Sequence, residues 1–360
     1  MQRKSTIVLF SLLAGTVAIS EAAPSRYRVT PITVPAPYHL LQVGGLNNEG
    51  AVTLTAYDAS YTTTHIYVWR NGRARDLGTP EGEGTYIFSV YGINDRNEIV
   101  GSTLSANSPP HGFIWRDGQF EDIGHPVGAN YTLTLFRINR HTQIIGSSGV
   151  DSETANPVLW EEGHFTVLPE LPGGQTNNGP GGTALNDIND RGVIVGRSGS
   201  DPDDRPKPVM WRNGVISRLP LPANADSAEA DGINRLDHIV GYANEYTDFP
   251  ETDPEEPLFW HDGVVTVLPI PSGSNRAYAN AINDSDQIVG FAIAGSASYA
   301  VLWQQGVAYN LNTLIQSDGP NQQSVFLNSA YSVNNRGQII GDAYDPSTGA
   351  IASYLLTPEY

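Results

Sequence analysis

The stretch DINDRGVIVG, residues 187–196, holds the fold in miniature: an aliphatic–Asn pair, a short polar turn, then an aliphatic run ending in Gly. The pair recurs as Leu46-Asn47, Ile93-Asn94, Ile138-Asn139, Ile188-Asn189, Ile233-Asn234, Ile282-Asn283 and Val333-Asn334. The Asn-to-Asn steps are 47, 45, 50, 45, 49 and 51 residues. Self-similarity at that period marks a repeat array, and often the blade of a β-propeller.

Each unit contains four strand-like runs. In the second they are TYIFSVYGIN (85–94), NEIVGST (97–103), HGFIWR (111–116) and QFEDIG (119–124). Alternating polarity with β-branched and aromatic residues predicts strands. Three residues after each Asn stands Gly50, Asn97, Thr142, Gly192, Asp237, Asp286 or Gly337. All but Thr142 readily take the positive φ of a bulged hairpin turn. All six Trp lie in W-x-x-G, from Trp69–Gly72 to Trp303–Gly306, which marks a second hairpin. Seven residues after the Asn comes Gly in six units, with Leu54 in the first. A strand Gly marks a bulge or close backbone approach.

The chain ends decide closure. The last unit, SAYSVNNRGQIIGDAYDPSTGAIASYLLTPEY (329–360), stops after its third strand. YRVTPITVP (27–35) matches fourth strands such as HFTVLPELP (164–172) and VVTVLPIP (264–271). The N-terminal strand is therefore expected to complete the last blade, which removes the free sheet edges. The expected fold is all-β: a seven-bladed propeller of four-stranded blades, one domain over residues 24–360.

Composition agrees. Hydrophobic residues are 39% and charged residues 16%, with 37 Gly and 25 Pro, which suits short strands and turns and opposes disorder. The net charge is −18 and only Lys4 and Lys207 are lysines. Such a surface repels phosphate backbones and anionic membranes, so no nucleic-acid partner is expected. Residues 1–23 read as a secretory signal: Arg3 and Lys4, the apolar run Thr6–Ile19, then Ser20-Glu21-Ala22 before the cleavage point. No later stretch is apolar enough to insert in a membrane. The expectation is a secreted or periplasmic monomer whose partner is an extracellular glycan or protein.

The repeated residues resemble those of the bacterial extracellular HAF-repeat family, whose unit reads approximately A-x-x-I-N-x-x-G-x-I-V-G, H-A-F-L-W-x-x-G and a strand ending L-G. DINDRGVIVG (187–196), AINDSDQIVG (281–290), HGFIWRDG (111–118) and DLG (76–78) carry the resemblance across essentially the whole chain after residue 23. His at the HAF position is read in the second unit alone, at His111, and Pro169, Pro220 and Pro269 replace the last Gly. The resemblance implies an exported propeller and brings no catalytic residues.

Candidate chemistry follows from where the units disagree. The repeat Asn and Trp residues are read as turn caps, blade ties and blade packing. Both hairpins are short in every unit and open on one face, so all length variation falls on the opposite face, where function tends to sit. Eight residues before each Asn lie His39, Tyr86, Tyr131, Gly181, Asp226, Asn275 and Phe326, expected to line the channel mouth on that variable face. Aromatic faces of Phe326, His39, Tyr86 and Tyr131 opposite the polar Asp226 and Asn275 suit a sugar. The alternative is an enzyme, a lyase of uronate-containing polysaccharide, with His39, His125, Tyr86, Tyr131 and Arg276 as the candidate acid–base and charge-neutralising groups. A purely structural extracellular module is the third reading. No cofactor is expected. The acidic loops with Asp201, Asp203 and Asp204, and with Asp248, Glu251, Asp253, Glu255 and Glu256, offer calcium-type oxygens without the spacing of a calcium loop.

Overall fold

Every W-x-x-G motif closes a two-residue hairpin with both central residues at positive φ, for example Asn71 at 51° and Gly72 at 78°. This turn matches the right-handed twist of its strands. The Asn hairpin is equally regular. The third residue after every Asn is at positive φ, including Thr142 at 61°. Thr142 tolerates this while its hydroxyl is tied to Glu98 at 3.1 Å and to the Arg96 guanidinium.

The computed structural model describes residues 24–58, 64–80, 85–105, 108–128, 132–149, 156–172, 182–199, 205–244, 255–316, 325–344 and 350–359. Among these the strands form seven antiparallel four-stranded sheets, each a blade. Blade 1 runs outward through His39–Leu46, Val52–Tyr57, Thr64–Arg70 and Arg73–Gly78. Blades 2 to 6 repeat that order, with inner strands Thr85–Ile93, Thr132–Ile138, Ala184–Ile188, Ser227–Ile233 and Arg276–Ile282. Blade 7 is Phe326–Val333, Ile339–Tyr344 and Ile351–Glu359, with Arg26–Pro31 as its outer strand. The N-terminal strand thus closes the ring, Val29 opposite Leu356 and Pro31 opposite Tyr354. A 3-10 turn, Leu311–Thr313, leads into a stitch on that strand: Tyr27 N donates to Leu314 O and Gln316 N to Tyr27 O, both at 2.9 Å.

The core is not central but lies between blades. One cluster joins Ile340 and Leu355 of blade 7 to Val52, Leu54 and Trp69 of blade 1, and another joins Val100 and Ile114 of blade 2 to Leu135 and Trp160 of blade 3. Every blade buries both faces, so a missing blade would expose two apolar sheets. The second-strand Gly has a direct cause. A Cβ on Gly196, Gly241 or Gly290 would lie 1.9–2.0 Å from the inner-strand carbonyl of Ala184, Glu229 or Tyr278.

The Pro-for-Gly substitutions also find a reason. The Pro169, Pro220 and Pro269 carbonyls accept the indole N–H of Trp211, Trp260 and Trp303 from the next blade, at 2.7–2.8 Å. Blades 1 and 2 use another device. His111 Nδ1 lies 2.8 Å from Asp122, and His65 Nδ1 lies 2.8 Å from Asp76. Each Asp also accepts the N–H of Gly124 or Gly78 at 2.7 Å. His65 therefore holds in blade 1 the place that His111 holds in blade 2, four residues before the Trp. Ile66 and Tyr67 in place of Gly112 and Phe113 hid the match.

Candidate functional site

The repeat Asn side chains of the uniform face are consumed by their own hydrogen bonds. Each repeat Asn is buried, and its Oδ1 accepts two backbone N–H groups of its own turn, as Asn234 does from Leu236 and His238 at 2.9 and 3.0 Å. Its Nδ2 donates to the carbonyl of the next blade's Asn. These bonds run Asn47 to 94, 94 to 139, 139 to 189, 189 to 234, 234 to 283, 283 to 334, and back to Asn47, all at 2.9–3.0 Å. The second Nδ2 hydrogen meets a side-chain oxygen, for example Glu98 Oε2 from Asn94 and Asp286 Oδ1 from Asn234. The ring encloses a cavity of about 200 Å³ collared by Leu46, Ile93, Ile138, Ile188, Ile233, Ile282 and Val333. Burial alone would raise the pKa of Glu98, but hydrogen bonds from Arg96, Asn94 and Thr142 outweigh it and hold the carboxyl below its usual value. Asp237 is lowered in the same way by Arg212, Asn189 and Arg191 against its burial.

Of the mouth residues read from the sequence, His39, Tyr86, Asp226, Asn275 and Phe326 stand at the starts of inner strands. His39 opens the inner strand of blade 1, with its ring 5.7 Å from Tyr57. Phe326 opens that of blade 7 and pairs across with Tyr344. Asp226 holds Arg205, and its carbonyl accepts from Lys207 Nζ at 2.6 Å. Asn275 is exposed, its N–H bonded to Ile293 O at 3.2 Å. Arg276 faces Glu255 at 3.7 Å. Tyr86 belongs to the inner strand of blade 2, its side chain outside the described residues, as are Tyr131 and Gly181 altogether. His125 is misplaced by the sequence reading. It follows the outermost strand of blade 2, its ring 5.2 Å from His111 and its Nδ1 3.0 Å from Pro126 O, so it stands at the rim and not at the mouth. Asp201, Asp203, Asp204, Asp248, Glu251 and Asp253 lie outside the described residues. Among the described residues no three acidic or His side chains are grouped to hold a metal.

His39 and Phe326 share one seam, between blades 7 and 1. There a notch of about 590 Å³ opens on the variable face. Its blade 1 wall includes Tyr38, His39, Leu41 and Gln42, and its blade 7 wall includes Tyr331, Asp342, Ile351 and Ser353. Asp342 Oδ1 accepts from Ser353 Oγ at 3.1 Å, and Oδ2 accepts from the Tyr331 hydroxyl. Burial first, then the bond to Asp342, pushes the Tyr331 pKa up to about 12, so it remains a donor. Beside the notch, Phe326, Tyr344 and Ile351 are successive cross-strand partners and form an apolar row. Five of the eleven exposed large hydrophobic residues described, Leu41, Phe326, Tyr331, Tyr344 and Ile351, belong to this seam, which makes it a patch and not scatter.

The inner strand of blade 1 shifts register twice, between Leu40 and Gln42 and between Val43 and Leu46, and those of blades 2 and 7 also shift twice. Gly44 and Gly45 replace side chains in blade 1; a Cβ on Gly44 would meet Val90 O at 2.2 Å. The sequence signal was the anomalous Leu54 with the nearby Gly-Gly pair. Sequence reasoning missed Tyr331, Asp342, Tyr344 and Ile351, which occupy regular strand positions.

Two further arrangements join titratable side chains. Tyr38 OH lies 3.1 Å from His65 Nε2, extending the His65–Asp76 pair to a Tyr–His–Asp chain at the notch. On the blade 4–blade 5 wall, Asn186 Nδ2 spans Glu229 Oε1 at 2.8 Å and Asp231 Oδ1 at 3.2 Å, while Arg197 holds Glu229 Oε2 at 2.7 Å. Burial, then the neighbouring Glu229 charge, raises the Asp231 pKa well above its usual value against the pull of Arg197.

No protein-family model matches the chain, and no curated protein sequence matches it. Solved structures do resemble it. The β-propeller domain of the Trilobed protease from Pyrococcus furiosus aligns with TM-score 0.55 and 8% identity over 89% of this chain and 94% of that one. That domain is described as having an open velcro topology, whereas here the N-terminal strand closes the last blade. The polysaccharide lyase Uly1 aligns with TM-score 0.52 and 10% identity over 95% and 94% of the two chains. An acylaminoacyl peptidase of Pyrococcus horikoshii gives TM-score 0.56 and 10% identity over 89% of this chain and 51% of that one, so this chain spans about half the peptidase. At such identities the likeness is one of fold: the chain is a seven-bladed β-propeller.

Proposed function

We propose that the protein is an exported propeller that binds a glycan through its variable face, at the notch between blades 7 and 1. The observation behind this reading is the pairing of that cavity, of ligand size, with an exposed row of Phe326, Tyr344 and Ile351 and the polar Asp342 and Gln42. Sugars offer apolar C–H faces beside hydroxyls, and the seam offers apolar surface beside acceptors. The His65–Asp76 and His111–Asp122 pairs support kinship with HAF repeats by giving the His four residues before the Trp the same partner in two blades. Calorimetric titration with a glycan-array hit tests the reading. Binding should fall more than tenfold in Tyr344→Ala combined with Ile351→Ser. An array on which nothing binds would refute it. Export through residues 1–23 is tested by the N-terminal mass of the protein recovered outside the cytoplasm.

A catalytic reading has one observation in its favour, the Tyr38–His65–Asp76 chain, in which an Asp orients a His that can take the tyrosine proton. Against it, His111–Asp122 repeats the same pair without a tyrosine, as a blade-stabilising device. Release of unsaturated ends from uronate polymers that is lost in Tyr38→Phe would establish catalysis.

A further inference from the structure

We propose that the blade 7–blade 1 notch selects uncharged and amine-bearing glycans and rejects uronate-containing ones, an inference that rests on the glycan-binding reading above. The lining includes one carboxylate, Asp342, and neither Arg nor Lys. A carboxylate has about four acceptor sites. Ser353 and Tyr331 each donate one hydrogen bond to Asp342, which leaves acceptor capacity on both oxygens. Sugar hydroxyls and ammonium groups supply the hydrogens that this capacity needs. A uronate supplies only lone pairs and a second negative charge.

Among the described residues His39 is the one basic side chain in the lining, and no Arg or Lys stands there to neutralise a uronate. Arg276 faces Glu255 in blade 6, and Arg28 faces Glu359 on the outer edge of blade 7. The chain's net charge of −18 adds a repulsive field at long range. Tyr331 and Tyr344 present aromatic rings at the same patch, and aromatic faces attract an ammonium while they stack on a neutral sugar. The apolar row and the carboxylate therefore agree on one class of ligand. A lyase of uronate polymers at this notch would also lack the cation that neutralises the substrate carboxylate.

The test titrates three oligosaccharide series of equal length, neutral β-glucan, chitosan and polygalacturonate, at about 0.15 M ionic strength, where surface charge is partly screened. The expected order is chitosan at or above glucan, with polygalacturonate at least tenfold weaker. Asp342→Asn, checked for an unchanged melting temperature, should close most of the gap between chitosan and polygalacturonate. Polygalacturonate binding level with or above the other two overturns the inference and leaves glycan binding standing. An unchanged order in Asp342→Asn overturns Asp342 as the selecting group. Binding by none of the three, with no hit on a wider array, removes the glycan reading itself.

Discussion

The two faces of the wheel use their polar groups in opposite ways. On the uniform face seven Asn side chains donate and accept in a closed circuit that returns from Asn334 to Asn47, which leaves none of the seven free for a ligand. At the variable-face seam between blades 7 and 1, apolar side chains stand in solvent and Asp342 keeps spare acceptor capacity. Titratable groups show a related contrast. Glu98 and Asp237, at the uniform face, have lowered pKa values, whereas burial and the Glu229 charge raise that of Asp231 on the inner strand of blade 5. Regularity and the candidate site lie at different ends of the same strands: the Asn turns repeat in all seven units, while the opposite strand ends differ from blade to blade.

The strongest way to break this contrast is to open the circuit. Asn234→Ala strands the N–H groups of Leu236 and His238 and cuts the tie to the Asn283 carbonyl, which keeps its turn bond from Asp286 N. An unpaired buried polar group costs about 1–3 kcal/mol, so the variant should lose about 3 kcal/mol in chemical denaturation. Ligand affinity below its melting temperature should not change. If stability is unaltered, the ring is ornament. A smaller effect separates the two blade types. Trp260→Phe loses the bond to the Pro220 carbonyl and should cost about 1 kcal/mol more than Trp160→Phe, whose indole N–H is buried without a partner.

The charge contrast is sharpened by pH. Asp231 has a raised folded-state pKa, so the folded protein binds its proton more tightly than the unfolded chain does. Its contribution to stability therefore falls as pH rises from the ordinary value of 3.8 through the raised one. Asp231→Asn should melt higher than the parent at neutral pH, and the two should converge below about pH 3. Glu98 has the opposite sign: its stabilisation is present above the ordinary carboxyl pKa and lost as pH falls through the lowered one. The advantage of Glu98 over Gln in a Glu98→Gln comparison should therefore vanish in acid. The smallest stability effect belongs to the seam. Tyr344→Ala removes a side chain that is 38% exposed and should change stability by less than about 0.5 kcal/mol while it weakens glycan binding. A large loss of stability would make the apolar row part of the core.

Much of the fold was legible because its causes are local or repeated. Positive φ at Asn97 or Gly192, the two-residue turns after Trp, and Gly under the inner-strand carbonyl each need a particular residue type at a fixed spacing. The fourth strand at the front of the chain was legible from its likeness to the others. His65 escaped because its neighbours disguise the motif, and His125 was drawn inward because radial position is invisible in a linear pattern. The notch escaped more fully. Tyr331 and Tyr344 hold strand positions whose counterparts, such as Tyr91 and Phe136 or Tyr57 and Ile293, are half-buried, and the linear pattern does not say which of them a neighbouring blade leaves in solvent.

The amino-acid sequence by itself therefore determined the number of blades, their turns and the closure of the ring, since each follows from backbone conformation and side-chain periodicity repeated at a fixed interval. The tertiary structure alone decided which side chains meet across a seam and which remain in solvent. Blades 7 and 1 are adjacent in the ring, but their facing residues come from opposite ends of the chain.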